Sequence, residues 1–472
     1  MAAAQTAAGG GAVTSVGNSA LYNTANSGNL TYTEQAGTST NKQYISFWMY
    51  FTGVSTASNF IISCDDGSNN NRFQIYFGST LTVLEVKGGS VQCYLISTRQ
   101  LRDIGWYHIE LLLDTTQSVA SNRNILKVNN VRLTEFSTET NFTLNDTFGT
   151  LGSAGKTFHW GRSGAGTGYL GAYLAESVRI DGDPAGISTG EYDETGLYWT
   201  PKSSTAIKEL TFSNNGFYLD NTTNAQTDAS GEGNNFTNNT VTTTTHTPTN
   251  LNCLLSPLDK NSATVLSNGN RTQDNGSASW RVVKSTFTLP TTGKWYWEMT
   301  WSAGSSDGHV FGVCLNSLDP RTISASGNAG GYAWSTYGGK YIGATGSTYA
   351  SAPSNSDKIG FLFDSDAGTL VFYKNNVSQG TLATGLTFAL VGLLNVYSNL
   401  YASWVPTFHF NEEEWTYSAP TDHKALTTTV LAETTTRTAS DTNKYFQTVL
   451  YEGNGGGQRV GAFQPFDNTF TV

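Results

Sequence analysis

Charge is scarce in this chain. Asp, Glu, Lys and Arg make up 13% of its 472 residues, about half the usual share for a soluble protein. Lys and Arg total 26, the formal net charge is −10, and no basic run occurs. A nucleic-acid partner is therefore not expected, because neutralising phosphates takes a cationic footprint. No apolar run is long enough to span a bilayer as a helix. The stretch Met1-Ala-Ala-Ala-Gln-Thr-Ala-Ala-Gly-Gly has no basic segment followed by an apolar core, so no secretory signal is expected. Cysteine is sparse too: Cys64, Cys93, Cys253 and Cys314. None forms a C-x-x-C pair, which argues against a zinc or redox motif. Cys314, in Val310-Phe-Gly-Val-Cys-Leu, reads as a buried strand thiol, and buried free thiols are the expectation for all four. Spacing alone leaves a Cys64–Cys93 pair open.

What the chain does have is turn residues and rings. Gly numbers 50 and aromatics are 12%, too ring-rich for a disordered composition. Many short apolar runs, separated by Gly, Asn, Ser and Thr, read as strands and turns. The length suits two or three domains. Residues 1–17 are Ala, Gly and Thr and read as an arm. A first strand-rich block covers 18–220 and includes Tyr44-Ile-Ser-Phe-Trp-Met-Tyr-Phe, Arg72-Phe-Gln-Ile-Tyr-Phe and Trp106-Tyr-His-Ile-Glu-Leu-Leu-Leu-Asp. Asn129-Asn130 suits a two-residue hairpin turn, since Asn tolerates positive φ. Residues 221–251 are polar and read as a linker or long loop, with too little apolar surface for a core. A second block covers 252–420, with strands at Lys294-Trp-Tyr-Trp-Glu-Met-Thr-Trp, Lys358-Ile-Gly-Phe-Leu-Phe-Asp and Thr369-Leu-Val-Phe-Tyr-Lys. Trp295 and Trp297 share parity, so they face one side with Tyr296 opposite. Residues 421–472 form a Thr-rich extension with one more strand-like piece, Tyr445-Phe-Gln-Thr-Val-Leu-Tyr, and a Gly453-Asn-Gly-Gly-Gly turn.

Two resemblances rest on these pieces. Ile45-Ser-Phe-Trp-Met-Tyr, Gly105-Trp-Tyr-His-Ile, Leu126-Lys-Val-Asn-Asn-Val-Arg-Leu and Gly171-Ala-Tyr-Leu-Ala-Glu resemble a laminin-G/concanavalin-A-like sandwich. Gly293-Lys-Trp-Tyr-Trp-Glu, Gly312-Val, Gly331-Tyr-Ala-Trp, Asp357-Lys-Ile-Gly-Phe-Leu-Phe-Asp and Gly368-Thr-Leu-Val-Phe-Tyr-Lys-Asn-Asn resemble a SPRY domain. The order Gly196-Leu-Tyr-Trp-Thr-Pro-Lys, Asn215-Gly-Phe-Tyr-Leu-Asp, Gly231-Glu-Gly-Asn-Asn-Phe-Thr, Thr247-Pro-Thr-Asn, Leu255-Ser-Pro-Leu-Asp is similar to a tailed-bacteriophage family. That family couples the two domains in tail-fibre or other virion surface proteins. The resemblance covers roughly residues 18–465 and implies a virion location and a symmetric assembly. Tyr445-Phe-Gln-Thr-Val-Leu-Tyr-Glu-Gly-Asn-Gly is similar to the start of a further domain in longer members.

Catalytic chemistry finds little support. Concanavalin-like glycosidases need two carboxylates projecting into one cleft, and no strand carries Glu or Asp at alternate positions. Glu412-Glu-Glu is contiguous and reads as a solvated acidic turn. Glu110, Glu176 and Glu298 are isolated strand carboxylates, and Glu176 falls where the laminin-G pattern implies a structural hydrogen bond. Asp364-Ser-Asp-Ala-Gly is half of a calcium loop with no downstream Glu to complete it. It reads as a turn with Asp capping its own backbone. Asp65-Asp66-Gly67 is a weaker candidate, resting on calcium at the rim of laminin-G-like folds. His108, His159, His246, His309, His409 and His423 share no metal-ligand spacing, and His108 and His409 read as satisfied strand residues. Gly161-Arg-Ser-Gly-Ala lacks the final Gly of a nucleophile elbow and no helix follows.

Aromatic loop residues remain. Tyr332, Trp334, Tyr337, Tyr341 and Tyr349 fall in a Gly-rich stretch, and exposed rings are what sugar C–H faces stack on. Tyr332 and Trp334 also fit SPRY-like core positions. Tyr337 and Tyr341, beside Gly338-Gly339, read as ligand-binding loop residues. The expectation is thus an all-β protein of two tandem antiparallel sandwiches, with an arm and a C-terminal β extension. It is expected to be non-enzymatic, without metal or cofactor, and a homotrimer with residues 1–17 in a subunit or particle contact. Its partners would be other virion proteins and a host-surface glycan or protein. A capsid-decorating or connector protein is the alternative. A polysaccharide-degrading enzyme ranks behind both.

Overall fold

The computed structural model describes residues 15–52, 59–78, 80–101, 105–194, 196–274, 279–301, 308–322, 331–401 and 405–433. The arm expected before residue 15, and the strand-like piece and turn expected beyond residue 433, lie outside the described residues. Within them the protein is all β, built of four large antiparallel sheets. Sheet I runs in the order Val131–Arg132, Asn124–Val128, Trp106–Asp114, Lys42–Phe51, Ala172–Ile180, Ser19–Tyr22, Thr242–Thr244, and Phe217–Leu219 also pairs with Ala172–Ile180. Sheet II is Phe136–Thr140, Ser90–Ser97, Leu81–Lys87, Arg72–Phe77, Asn59–Asp65, Thr157–Trp160, Asn29–Thr33, Thr237–Asn239. Their inner faces meet through Ile45, Phe47, Met49, Ile109 and Leu111 on one side and Ile62, Phe73, Ile75, Phe158 and Trp160 on the other. This is the period-2 burial expected of a sandwich.

The second pair of sheets repeats the plan. Sheet III is Leu255–Lys260, Trp280–Thr288, Leu394–Tyr401, His309–Leu315, Gly331–Ser335, Gly339–Ile342, Thr345–Thr348. Sheet IV is Val265–Ser267, Thr272–Asp274, Thr407–His409, Lys294–Thr300, Lys358–Asp364, Thr369–Lys374, Val377–Ala383, with His423–Lys424 added in parallel. Trp295, Trp297 and Met299 point into the core beside Phe311, Trp334 and Phe372, and Trp297 stacks on Phe361 at 5.1 Å. Tyr296 faces the other way and is buried as well, its hydroxyl donating to Glu298 at 2.7 Å.

Three expectations meet particular outcomes. All four cysteines are buried and free. Cys64 and Cys93 lie in strands with two others between them, roughly 14 Å apart at ~4.8 Å per strand, beyond disulfide reach. Asn129 and Asn130 take φ of 49° and 62° in the expected two-residue turn. Residues 221–251, expected as a linker or loop, are instead woven into the first sandwich. Thr237–Asn239 is the edge of sheet II and Thr242–Thr244 the edge of sheet I. Ala225, Phe236 and Val241 enter the core. A few apolar anchors suffice because backbone pairing to existing edges supplies the rest.

The strand Ala172–Ile180 holds the decisive irregularity. Its pairing with Lys42–Phe51 slips by one residue between Ala175 and Val178, and Glu176 sits at φ +49°. Such a bulge inverts parity beyond it. Ala172 and Leu174 face the core before it, whereas Val178 and Ile180 face outward after it. Arg179 is thereby turned inward. Its guanidinium forms a two-point ion pair with Glu34, and its Nε donates to Gln43 at 2.9 Å. Gln43 in turn donates to Asp181 at 2.7 Å. Arg179, Glu34, Gln43 and Asp181 are all buried.

The outward Val178 and Ile180 are covered by Ile207, Phe212 and Tyr218 of the segment that follows. The two sandwiches are joined by side chains as well as by the chain. Leu254 packs on Leu21, Tyr50 and Tyr173. The turn Asn268-Gly269-Asn270 lies against Tyr173, whose hydroxyl donates to Gly269 O at 2.8 Å. A Cβ at Gly269 would stand 2.1 Å from that hydroxyl.

Two stability outcomes are expected. Arg179→Met leaves Glu34 buried and unpaired, and urea unfolding should show a loss of about 3–5 kcal/mol. Glu34→Gln added to Arg179→Met should recover part of it. The second concerns Glu85, which is fully buried and whose carboxyl burial pushes up to about 8 from 4.5. A carboxyl raised on folding binds more protons in the folded state, so stability falls as pH rises from about 4.5 to 8. Glu85→Gln should remove that fall, raising stability at pH 8 on the order of 2 kcal/mol with little effect at pH 5.

Candidate functional site

The outer face of sheet III carries a row of rings at one end. Trp280 opens its strand and Tyr401 lies directly opposite at the end of the neighbouring strand, their rings 5.4 Å apart. The next strand starts after Gly308, whose carbonyl accepts from Tyr401 N at 2.9 Å. A Cβ at Gly308 would fall 2.6 Å from the Trp280 ring and 3.0 Å from the Tyr337 ring. Glycine is required here because two aromatic side chains close over its backbone. Tyr337 ends the row in the turn between Gly331–Ser335 and Gly339–Ile342. That turn is fixed by Gly338 N to Ser335 O at 2.9 Å and Thr336 N to His309 O at 2.9 Å. Tyr337 is 67% exposed, while Trp280 and Tyr401 are half-buried. The neighbouring cations are occupied: Arg281 donates to Ala263 O at 2.7 Å and Lys340 to Leu382 O at 3.0 Å on the other face. Among the described residues the row is ring-faced, with Trp280 and Tyr401 on strands and Tyr337 in a turn.

Residues 294–411 match the SPRY domain. The SPRY match includes Tyr337, Tyr341 and Tyr401 and leaves Trp280 just outside. Among solved structures the chain is similar to the SPRY domain of human HERC1, at 17% identity over 33% of this chain and 96% of that one, with a TM-score of 0.29. It is also similar to the TRIM65 PSpry domain, at 18% identity over 33% of this chain and 91% of that one, with a TM-score of 0.27. No curated protein matches the chain.

Within the SPRY residues the expected aromatic loop divides. Trp334 is fully buried among Phe311, Phe372 and Tyr349, and Tyr332 packs on the same core. Tyr349 anchors itself by donating to Gly380 O at 2.5 Å. Tyr341 is not a loop residue: it lies in Gly339–Ile342 opposite Ala333 and packs half-buried at the margin of the outer-face cluster that includes Ala333. A short strand bounded by glycines looks like a loop by composition alone. Sequence alone does not bring Trp280 and Tyr401 together, because they lie far apart along the chain. The signal available was parity, since each continues the outward side of an alternating strand.

The other candidates resolve into structural roles. Glu298 accepts from Thr416 N at 2.7 Å, Tyr417 N at 2.9 Å and the Tyr296 hydroxyl, pinning the chain after the last SPRY strand. Glu176 accepts from the Tyr218 hydroxyl, and Glu110 from the Tyr44 hydroxyl at 2.9 Å. Glu412 and Glu413 are exposed, but Glu414 pairs with Arg271, so the acidic turn is only partly solvated. Asp364 accepts from Ala367 N at 2.8 Å within its turn. Asp65 accepts from Gly67 N at 2.9 Å and lies 3.6 Å from His159. His409 meets the Thr300 hydroxyl at 2.8 Å. Among the described residues no three His, Cys, Asp or Glu side chains are grouped to hold a metal ion.

The two tyrosines should behave differently on truncation. Tyr341→Ala should lower stability by about 1–3 kcal/mol through lost burial. Tyr337→Ala should stay within about 0.5 kcal/mol, as for an exposed surface site. Thermal melts of the two single variants check this.

Proposed function

We propose that this chain is a non-enzymatic recognition protein on a tailed-phage virion, and that the row Trp280, Tyr401 and Tyr337 binds a host-surface glycan or protein. The observation that carries the reading is the row itself: three rings brought side by side at an accessible end, with the nearby cations turned to other partners. Stacking on such rings contributes about 1 kcal/mol each. Attachment would then draw on several copies acting together, in keeping with a symmetric assembly, a homotrimer being the expected form. The virion setting and a laminin-G-like identity for the first sandwich rest on the order of the sequence pieces. The absence of catalysis is supported by Glu110, Glu176 and Glu298, which lie on separate strands and each accept a structural hydrogen bond.

A connector or capsid-decorating role has one observation in its favour. Apolar side chains are exposed away from the row, at Leu197 and Tyr192 and again at Leu390 and Phe388. Such side chains suit contacts with other virion proteins.

Binding of the full-length chain to host cells separates the two. Trp280→Ala with Tyr337→Ala should weaken binding roughly 10- to 30-fold, the equivalent of about 1 kcal/mol per ring. Raising salt should change it little, since no charge is engaged. Unaltered binding by the double variant, together with loss of particle assembly on Leu390→Asp, would favour the connector.

A further inference from the structure

The outer face of sheet I carries a buried polar cluster that the aromatic row does not use. At its centre is His108, fully buried on Trp106–Asp114. The indole Nε1 of Trp199 donates to His108 Nδ1 at 3.0 Å, and His108 Nε2 meets the Thr189 hydroxyl at 2.9 Å. An indole N–H can only donate, so Nδ1 carries no proton and the hydrogen of the neutral ring sits on Nε2. The Thr189 hydroxyl passes the chain on to Ser46 at 2.7 Å, and Thr189 N donates to the Tyr44 hydroxyl at 3.1 Å. Thr189 precedes the first strand of the hairpin Gly190–Tyr192 and Trp199–Pro201, and Trp199 opens the second. One imidazole therefore holds both arms of that hairpin, one with each nitrogen. Among the described residues the hairpin forms a two-stranded sheet of its own and shares no ladder with sheet I.

A second partner for Nδ1 stands ready. Glu110 Oε1 is occupied by Tyr44, but its buried Oε2 accepts no hydrogen bond and lies 3.8 Å from His108 Nδ1. The Trp48 ring stacks on the imidazole at 4.8 Å, a face that favours a cation. The other charged group facing the cluster is Lys127, directly across the ladder from Glu110. From the hairpin, Glu191 is exposed and points away, and Trp199 and Thr189 do not titrate.

We propose that His108 is a proton-operated latch. In its neutral form it clasps the Thr189–Pro201 hairpin to sheet I. When it is protonated, Nδ1–H turns to Glu110 and releases Trp199. Protonation makes Nδ1 a donor facing another donor, so the closed contact and the charged ring exclude one another. Release would uncover Trp48 and His108 and free a hairpin that already exposes Tyr192, Leu197 and Tyr198.

The sign follows from burial. In the closed state burial holds the imidazole down to about 3, whereas a solvated ring titrates near ~6.5. The latch is whole above about 6.5 and weakens tenfold per pH unit below it.

Hydrogen exchange of the full chain, corrected for the intrinsic rate, tests this through the amide of Thr189, which donates to the Tyr44 hydroxyl of sheet I, and those of Asp193 and Lys202, whose bonds to Tyr198 O and Thr189 O a detached two-stranded hairpin does not hold in water. Between pH 7.5 and 5 their protection should drop about 30-fold, while that of Phe47 and Leu111 in sheet I stays constant. His108→Gln supplies a donor and an acceptor that do not titrate, so the drop should vanish. Glu110→Gln removes the waiting carboxyl oxygen and should shrink the drop. Equal protection at the two pH values, or an undiminished drop in His108→Gln, would overturn the latch. If His108→Gln does not fold, an undiminished drop in Glu110→Gln does the same.

Discussion

The Arg179–Glu34 ion pair is the constraint from which the first sandwich takes its form. A guanidinium cannot shed its proton to escape burial, so its place between two sheets demands a carboxylate and further acceptors. Glu34 and Gln43 supply them. The strand delivers Arg179 inward only by bulging at Glu176, and the same bulge throws Val178 and Ile180 onto the outer face. Two exposed aliphatic side chains in a row of strand positions must be covered. Ile207, Phe212 and Tyr218 cover them, and the segment that brings these residues also carries Thr189 and Trp199 across sheet I. The clasp on His108 is thus a downstream consequence of one inverted parity. Glu176 ties the two ends of the sequence of effects together, because its carboxylate accepts from Tyr218 of the covering segment.

Legibility in the sequence tracks regularity of the backbone. The strand Lys294–Thr300 keeps strict alternation, so the common facing of Trp295 and Trp297 could be read directly, and the structure buries both. In Ala172–Ile180 the same rule misleads. Alternation places Ala172, Leu174, Glu176, Val178 and Ile180 on one face, and nothing in that string announces an extra residue. Glu at φ +49° is an uncommon choice, and its side chain is held there by the Tyr218 hydroxyl. By composition residues 221–251 resemble a linker or long loop. Edge strands need little more than backbone, so Thr237–Asn239 and Thr242–Thr244 leave almost no apolar signature. The candidate site was half visible: Tyr337 emerged from its glycines, but Trp280 and Tyr401 meet through a register that only pairing reveals.

The two sandwiches solve the problem of their outer faces differently. Sheet I is covered in large part by its own chain, through the 207–219 segment and the hairpin. Its contact with the second sandwich uses the turn Asn268-Gly269-Asn270, where a side chain at Gly269 would collide with Tyr173. Sheet III buries Val282, Val310 and Tyr397 in its middle yet leaves rings showing at one end. Trp280 and Tyr401 keep their spacing because both belong to one ladder of backbone hydrogen bonds, and Tyr337 is held by the turn beside them. The proposed recognition by stacking would benefit from that rigidity, since little conformational entropy would be lost on docking.

Rigidity of the row and freedom of the hairpin are complementary outcomes of where backbone bonds are placed. Moving Trp280 or Tyr401 would require breaking the ladder between Trp280–Thr288 and Leu394–Tyr401, and with it part of a core that includes Trp334 and Phe372. Detaching Trp199 breaks no ladder with sheet I. It exchanges a few side-chain bonds, and those to His108 depend on a single proton. Local opening draws on such weakly tied elements, whose free energy of release lies far below that of global unfolding. The fixed surface therefore belongs to the second sandwich and the movable one to the first, and a change of pH can act on one without disturbing the other.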